Sequence, residues 1–201
     1  MTKKVGIFSG TFDPIHVGHV EVCLVAKAAC ELDDVVVFVE RNPKHKEEVL
    51  PYEDRLAMTK LALKDFQTIK VGQSSQSTTY QTTKKYLDKH YDKYKTFLII
   101  GSDMVRYLEN WEEASAIFKQ MKLCVFLRDL KEEKFIKSQL KNLADKYKAT
   151  YTLLPPVWSP VSSSSVKSDL MRTGKSDLVH KDVLHYIKDK KLYDSSSGTS
   201  K

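Results

Sequence analysis

Short apolar runs rich in β-branched and aromatic residues recur at Val5 to Phe8, Val35 to Val39, Thr68 to Gly72, Phe97 to Ile100, Leu123 to Leu127 and Thr150 to Leu154. Helix-length segments separate them. Runs that are apolar on both faces and spaced in this way suit a parallel sheet covered on two sides. The intervening segments carry helical periodicity, with Val20, Cys23, Leu24 and Ala28 after the first run and Tyr52, Leu56, Thr59 and Leu63 after the second. The expected fold class is α/β, a doubly wound parallel sheet.

The last quarter departs from the alternation. Pro155-Pro156-Val157-Trp158-Ser159-Pro160 interrupts regular structure, and Ser162 to Ser165 leads into a helix over Val166 to Met171 that a serine can cap. Val183, Tyr186 and Ile187 share one face of a final helix ending at Leu192-Tyr193, which gives a helical C-terminal segment. Residues 1–194 are expected to form a single domain, with 195–201 a disordered Ser/Gly tail.

Composition narrows the function classes. With 41% hydrophobic and 29% charged residues the chain buries a core, which excludes a disordered or collagen-like chain. No apolar stretch approaches the ~20 residues of a membrane helix. The N-terminus is too short in apolar residues for an export signal, so a cytoplasmic location is expected. The net charge of +7 is diluted: Lys131 to Lys148 interleaves lysines with Glu132, Glu133 and Asp145, and Phe135, Leu140, Leu143 and Tyr147 are available for an inner face. That pattern reads as a solvated amphipathic helix rather than a nucleic-acid surface. A surface helix and a dimer helix look alike in sequence, so a homo-oligomer stays open.

The chemistry concentrates in Ser9-Gly10-Thr11-Phe12-Asp13-Pro14-Ile15-His16-Val17-Gly18-His19, between the first apolar run and the first helix. Loops at the carboxyl ends of parallel strands gather backbone N–H groups and a positive helix end, and anions bind there. Gly10 lets the backbone approach a phosphate. His16 and His19, three apart, fall on one face of a helix beginning near Ile15 or His16, within reach of one polyphosphate. Alone, two histidines also read as surface residues or as half a metal site. A metal pair needs a third ligand, and Cys23, Cys30 and Cys124 lie instead in apolar settings typical of buried thiols.

With these residues the chain resembles the HxGH nucleotidyltransferase superfamily and, within it, the nicotinate/nicotinamide mononucleotide adenylyltransferases. The likeness extends to Asn42-Pro43-Lys44-His45-Lys46, to Arg55 and Met58, to Ser77-Thr78-Thr79-Tyr80-Gln81-Thr82, to Gly101-Ser102-Asp103 with Trp111, to Val161 through Lys167, and to Val183 through Tyr193. Departures are Ser9 for the usual glycine, Thr78 for a tyrosine of many bacterial members, Asp129 after Arg128 where a Pro-Gly turn is usual, and Lys167 for an arginine.

The resemblance implies a Rossmann-like fold and transfer of the adenylyl group of ATP to a pyridine mononucleotide, with pyrophosphate released and Mg²⁺ bound with ATP. It implies catalytic roles for His16, His19, Lys46 and Lys167. Gly10, Thr11, Phe12, Gly101, Asp103, Arg128, Ser163 and Ser164 would hold the nucleotide, and Thr79, Thr82 and Trp111 the acceptor. The residue chemistry agrees: Asp103 at a strand end accepts from ribose hydroxyls, serines at a helix start donate to phosphates, and a tryptophan face stacks a pyridine ring. As sequence readings alone, Asp103 is equally a helix cap and Trp111 equally a core residue. The alternatives are another member of the superfamily, acting on pantetheine phosphate or a polyol phosphate, and a non-catalytic nucleotide- or RNA-binding protein. Nicotinate and nicotinamide mononucleotide stay undistinguished as acceptor.

Overall fold

A computed structural model describes residues 1–43, 48–73, 79–157 and 161–194. In chain order the elements are β1 (Lys3–Gly10), α1 (Val17–Ala29), β2 (Asp34–Val39), α2 (Tyr52–Leu63), β3 (Ile69–Gly72), α3 (Tyr80–His90), β4 (Tyr94–Gly101), α4 (Ser102–Val105), α5 (Ala114–Gln120), β5 (Met121–Phe126), α6 (Glu133–Tyr147), β6 (Tyr151–Leu154), α7 (Ser163–Thr173) and α8 (Lys181–Asp189). Short 3-10 turns lie at Leu108–Asn110 and Leu130–Glu132. All neighbouring strands pair in parallel, in the order β3-β2-β1-β4-β5-β6. The expected α/β doubly wound sheet is therefore present, and every strand-like run of the sequence is a strand.

Side-chain alternation divides the core between the two faces of the sheet. Val35, Val37 and Val39 of β2 and Phe97 and Ile99 of β4 point to one face, where Cys23, Ala26, Leu56, Met58, Val166, Leu170, Val183 and Ile187 cover them from α1, α2, α7 and α8. Val36 and Phe38 point to the other face and meet Leu87 of α3. Leu98, Ile100, Leu123 and Val125 share that second face with Ile117, Phe118, Ile136, Leu140 and Leu143 of α5 and α6. Both faces of β2 are buried along all six residues, which explains its unbroken apolar sequence.

Two helix faces differ from the expected ones. In α1 the buried residues are Cys23 and Ala26, continued by Cys30 just past the helix, whereas Leu24 is 43% exposed and Ala28 is exposed. In α6, Ile136, Leu140 and Leu143 keep helical spacing and Phe135 falls one residue out of phase. Phe135 accordingly lies at the surface with the Arg106 guanidinium 4.7 Å from its ring centre. The last helix also stops earlier than expected, at Asp189, and the chain turns so that Tyr193 is buried. Residues 195–201 lie outside the described residues.

β1, β2 and β3 build outward in one direction, and the chain then returns to place β4 on the other side of β1. Loops leaving the carboxyl ends of β1 and β4 thus diverge to opposite faces and open a crevice between them, the place where open α/β sheets bind ligands. Leu87 is the only fully buried apolar side chain of α3. Leu87→Ala is expected to cost about 2–5 kcal/mol of stability, read as a lower urea midpoint with the m-value unchanged.

Candidate active site

The β1–α1 loop is folded inward: Thr11 through His16 are all buried. Phe12 adopts a left-handed backbone with φ +51° and places its ring against the end of β1. A Cβ at Gly10 would stand 2.9 Å from that ring, so the glycine makes room for Phe12. The ring edge of Phe12 in turn meets His19, with centroids 4.9 Å apart and planes at 85°.

His16 immediately precedes α1 and is 5% exposed, and its ring stacks on His19 with centroids 3.7 Å apart. The backbone N–H of His16 donates to Nδ1 of His19 at 3.2 Å. A neutral imidazole that accepts at Nδ1 carries its proton on Nε2, so His19 is held in the form that donates from Nε2. No acidic residue occupies the first turn of α1 or of α7, which leaves the positive helix ends for an external anion.

Three parts of the chain pin this loop. Arg55 of α2 is 1% exposed, and its guanidinium donates to four carbonyls: Thr11 and Glu40 at 2.7 Å from Nη1, Arg41 at 3.1 Å from Nη2 and Leu50 at 2.8 Å from Nε. Burial pulls its pKa below the ordinary arginine value, with Asp13 and Glu40 opposing that shift. From α7, the Ser163 hydroxyl donates to the Pro14 carbonyl at 3.0 Å. From the C-terminus, the Tyr193 hydroxyl donates to Asp13 Oδ1 at 2.6 Å. Burial, then the hydrogen bond to Asp13, push the Tyr193 phenol far above its ordinary pKa, so it remains a donor at neutral pH. Lys167 Nζ faces Asp13 Oδ2 at 3.4 Å and donates to the Glu48 carbonyl at 2.8 Å.

Across the crevice, β4 ends at Gly101 and β5 ends one residue before Leu127-Arg128. Ser102 is fully buried, accepts from the Arg128 N–H at 3.0 Å and donates to Glu132 at 3.3 Å, tying the two strand ends together. Asp103 and Arg128 form an exposed ion pair at 3.1 Å. A Cβ at Gly101 would lie 2.8 Å from Arg128 Nε and closer still to Asp103, so a larger residue there would displace this exposed pair.

The remaining site residues take mixed places. Ser162 caps α7 through a reciprocal pair with Ser165, and Ser164 is exposed in the first turn. Thr79 and Thr82 form the same kind of capping box at the start of α3. Trp111 is half-buried against the second core face. The α3 start and the Trp111 segment meet through Gln81 and Glu113, whose side chains hydrogen-bond at 2.7 Å. Lys46 and Thr78 lie outside the described residues.

Sequence reasoning left Asp13, Ser102 and Tyr193 without roles. The first two sit inside recognised motifs, where proximity was the signal. Tyr193 ends the recognised C-terminal stretch, but its partner is 180 residues away, so the contact itself left no signal.

The strand order, the histidine loop at the switch point and the uncharged helix starts facing it define a nucleotide-binding α/β enzyme fold. A cytidylyltransferase-like family profile matches residues 7–169. A probable nicotinate-nucleotide adenylyltransferase of Clostridium botulinum is 30% identical over 199 residues, covering 95% of this chain and 98% of the relative. One from Caldicellulosiruptor bescii is 31% identical over 198 residues, covering 94% and 98%. The chain belongs to the cytidylyltransferase-like family and, within it, to the nicotinate-nucleotide adenylyltransferases. The nicotinic acid mononucleotide adenylyltransferase of Plasmodium falciparum, solved with NaAD, shares the fold at a TM-score of 0.74 with 20% identity, covering 95% of this chain and 97% of that one.

Arg55→Lys keeps a charge and loses the planar fork that serves four carbonyls. It is expected to cost at least about 2 kcal/mol, measured as a lowered denaturation midpoint.

Proposed function

We propose that the chain transfers the adenylyl group of MgATP to nicotinate mononucleotide, forming the dinucleotide and pyrophosphate in cytoplasmic NAD biosynthesis, with residues 1–194 acting as one domain. The observation that carries this reading is the stacked His16–His19 pair, seated at the start of α1 beside the β1/β4 crevice and held with His19 Nε2 as a donor.

The acceptor's phosphate is already ionised and attacks the α-phosphorus directly, so no general base and no covalent enzyme intermediate is required. Catalysis then rests on in-line positioning and on stabilising charge in the transferring and leaving phosphates. His16 and His19 donate to the α- and β-phosphates. The amide groups of Gly10, Thr11 and Phe12, together with Ser163 and Ser164 at the start of α7, surround the polyphosphate. Lys46 and Lys167 supply cations. Gly101 leaves room for Asp103 to take ribose hydroxyls and for Arg128 to flank the nucleotide once their mutual ion pair opens. Thr79, Thr82 and Trp111 face the acceptor. Mg²⁺ enters as part of the MgATP substrate and offsets charge on its phosphates; among the described residues no group of three His, Cys, Asp or Glu side chains gathers to hold a metal. No described helix is long and apolar enough to cross a membrane.

The test is pyrophosphate release from MgATP with nicotinate mononucleotide, nicotinamide mononucleotide and pantetheine phosphate in parallel. Turnover is expected with the nicotinate nucleotide at the highest kcat/KM. His19→Ala is expected to lower kcat by about 10²–10³-fold, as for loss of a donor to a developing oxyanion, with the melting temperature little changed. Asp103→Ala is expected to raise KM for ATP about tenfold, the worth of one charge-assisted hydrogen bond. Turnover with pantetheine phosphate alone, or full activity in His19→Ala, would overturn the assignment.

A further inference from the structure

Resting on the adenylyltransferase reading, we infer that Tyr193 is a positioning residue of the site: through Asp13, its hydroxyl sets where the Lys167 ammonium stands for the ATP phosphates. Both Asp13 oxygens are committed, and the carboxylate is 6% exposed. Oδ1 receives the Tyr193 hydroxyl at 2.6 Å, a short bond to a buried charge. Oδ2 faces Lys167 Nζ at 3.4 Å, a long contact. The ammonium is therefore held loosely on that side while the Glu48 carbonyl keeps one of its protons at 2.8 Å.

An ammonium has three donors, so one bond to Glu48 and one long contact to Asp13 leave capacity for a phosphate oxygen. That balance depends on the tyrosine. Its hydroxyl draws charge from the Asp13 carboxylate, which also faces the charge of Arg55; without the tyrosine that carboxylate would bind Lys167 more tightly. A lysine also needs such external placement more than an arginine would, since a point charge on a flexible stem carries no fork geometry of its own. The Tyr193 ring adds a wall, with its centroid 5.5 Å from Nζ. Phenylalanine retains that wall, which makes Tyr193→Phe a deletion of the hydroxyl alone.

The experiment is a double-mutant cycle over wild type, Tyr193→Phe, Lys167→Met and the double variant. Calorimetric Kd for MgATP is measured on each, with kcat and both KM values from pyrophosphate release. Tyr193→Phe is expected to weaken MgATP binding and raise its KM 5- to 10-fold, leaving KM for nicotinate mononucleotide within twofold. In the Lys167→Met background the same change is expected to move both by less than twofold. An equal loss in both backgrounds, or no loss beside Lys167, would overturn the inference. Should Tyr193→Phe fail to fold, Asp13→Asn replaces it in the cycle: it removes the carboxylate charge that competes for the Lys167 ammonium, so a shift in the MgATP Kd is expected only where Lys167 is present, and an equal shift in both backgrounds would overturn the inference. Wild-type binding of MgATP without dinucleotide formation would remove the adenylyltransferase reading and still leave the coupling measurable by Kd. A wild type that does not bind MgATP overturns both.

Discussion

A guanidinium buried to 1% exposure holds the centre of this molecule together. Taking such a charge out of water is costly unless its donors find partners, and Arg55 places four hydrogen bonds on carbonyls of the β1–α1 loop and of the stretch between β2 and α2. The consequence is directional. In a trans peptide the C=O and N–H point opposite ways, so turning the Thr11 carbonyl toward Arg55 turns the Phe12 amide away from it. One buried side chain thus fixes the loop that carries the histidines and sets its polarity.

The sheet order puts that loop where open α/β sheets bind ligands. Because β1 sits between β2 and β4, its carboxyl end is the switch point, and helices depart from it to both faces. The C-terminal third then closes one side: α7 bonds Pro14 through Ser163, the Val17 N–H donates to the Leu178 carbonyl at 2.8 Å, and Tyr193 reaches Asp13. Leu178 and Tyr193 thereby brace the β1–α1 loop, and α7 and α8 also complete the core face shared with α1 and α2. The helical segment that broke the strand–helix alternation in sequence is a structural wall of the site.

Much of this was legible in the residues. Burial on both faces writes itself into β2 as an uninterrupted apolar run, whereas β3 and β6 keep exposed or part-exposed positions and were visible through their β-branched and aromatic residues between helix-length segments. The two-histidine loop stood out because glycine, proline and histidine at fixed spacing between a strand and a helix are hard to place otherwise. The helix faces were less legible where apolar residues exceeded what the core could take: Leu24 and Phe135 are apolar yet outward, and only the phase set by Cys23, Ala26 and by Ile136, Leu140 and Leu143 decides it. Gly10 was expected to let the backbone approach a phosphate; a Cβ there, as at Gly101, would also crowd a neighbouring side chain, a contact the sequence did not reveal. Asp13 and Tyr193 each lay in a recognised stretch, but their pairing was not legible, since a single long-range hydrogen bond leaves no periodic trace.

Under the proposed function, nucleotide binds where the ends of β1, β4 and the start of α7 converge. Amide hydrogen exchange with and without MgATP tests it most directly. Protection is predicted over residues 9–16, 101–103 and 162–167, with β3 and α6 unchanged. Protection confined instead to the hollow at the amino edge of the sheet, lined by Tyr80, Lys84, Tyr94 and Gln120, would contradict the account.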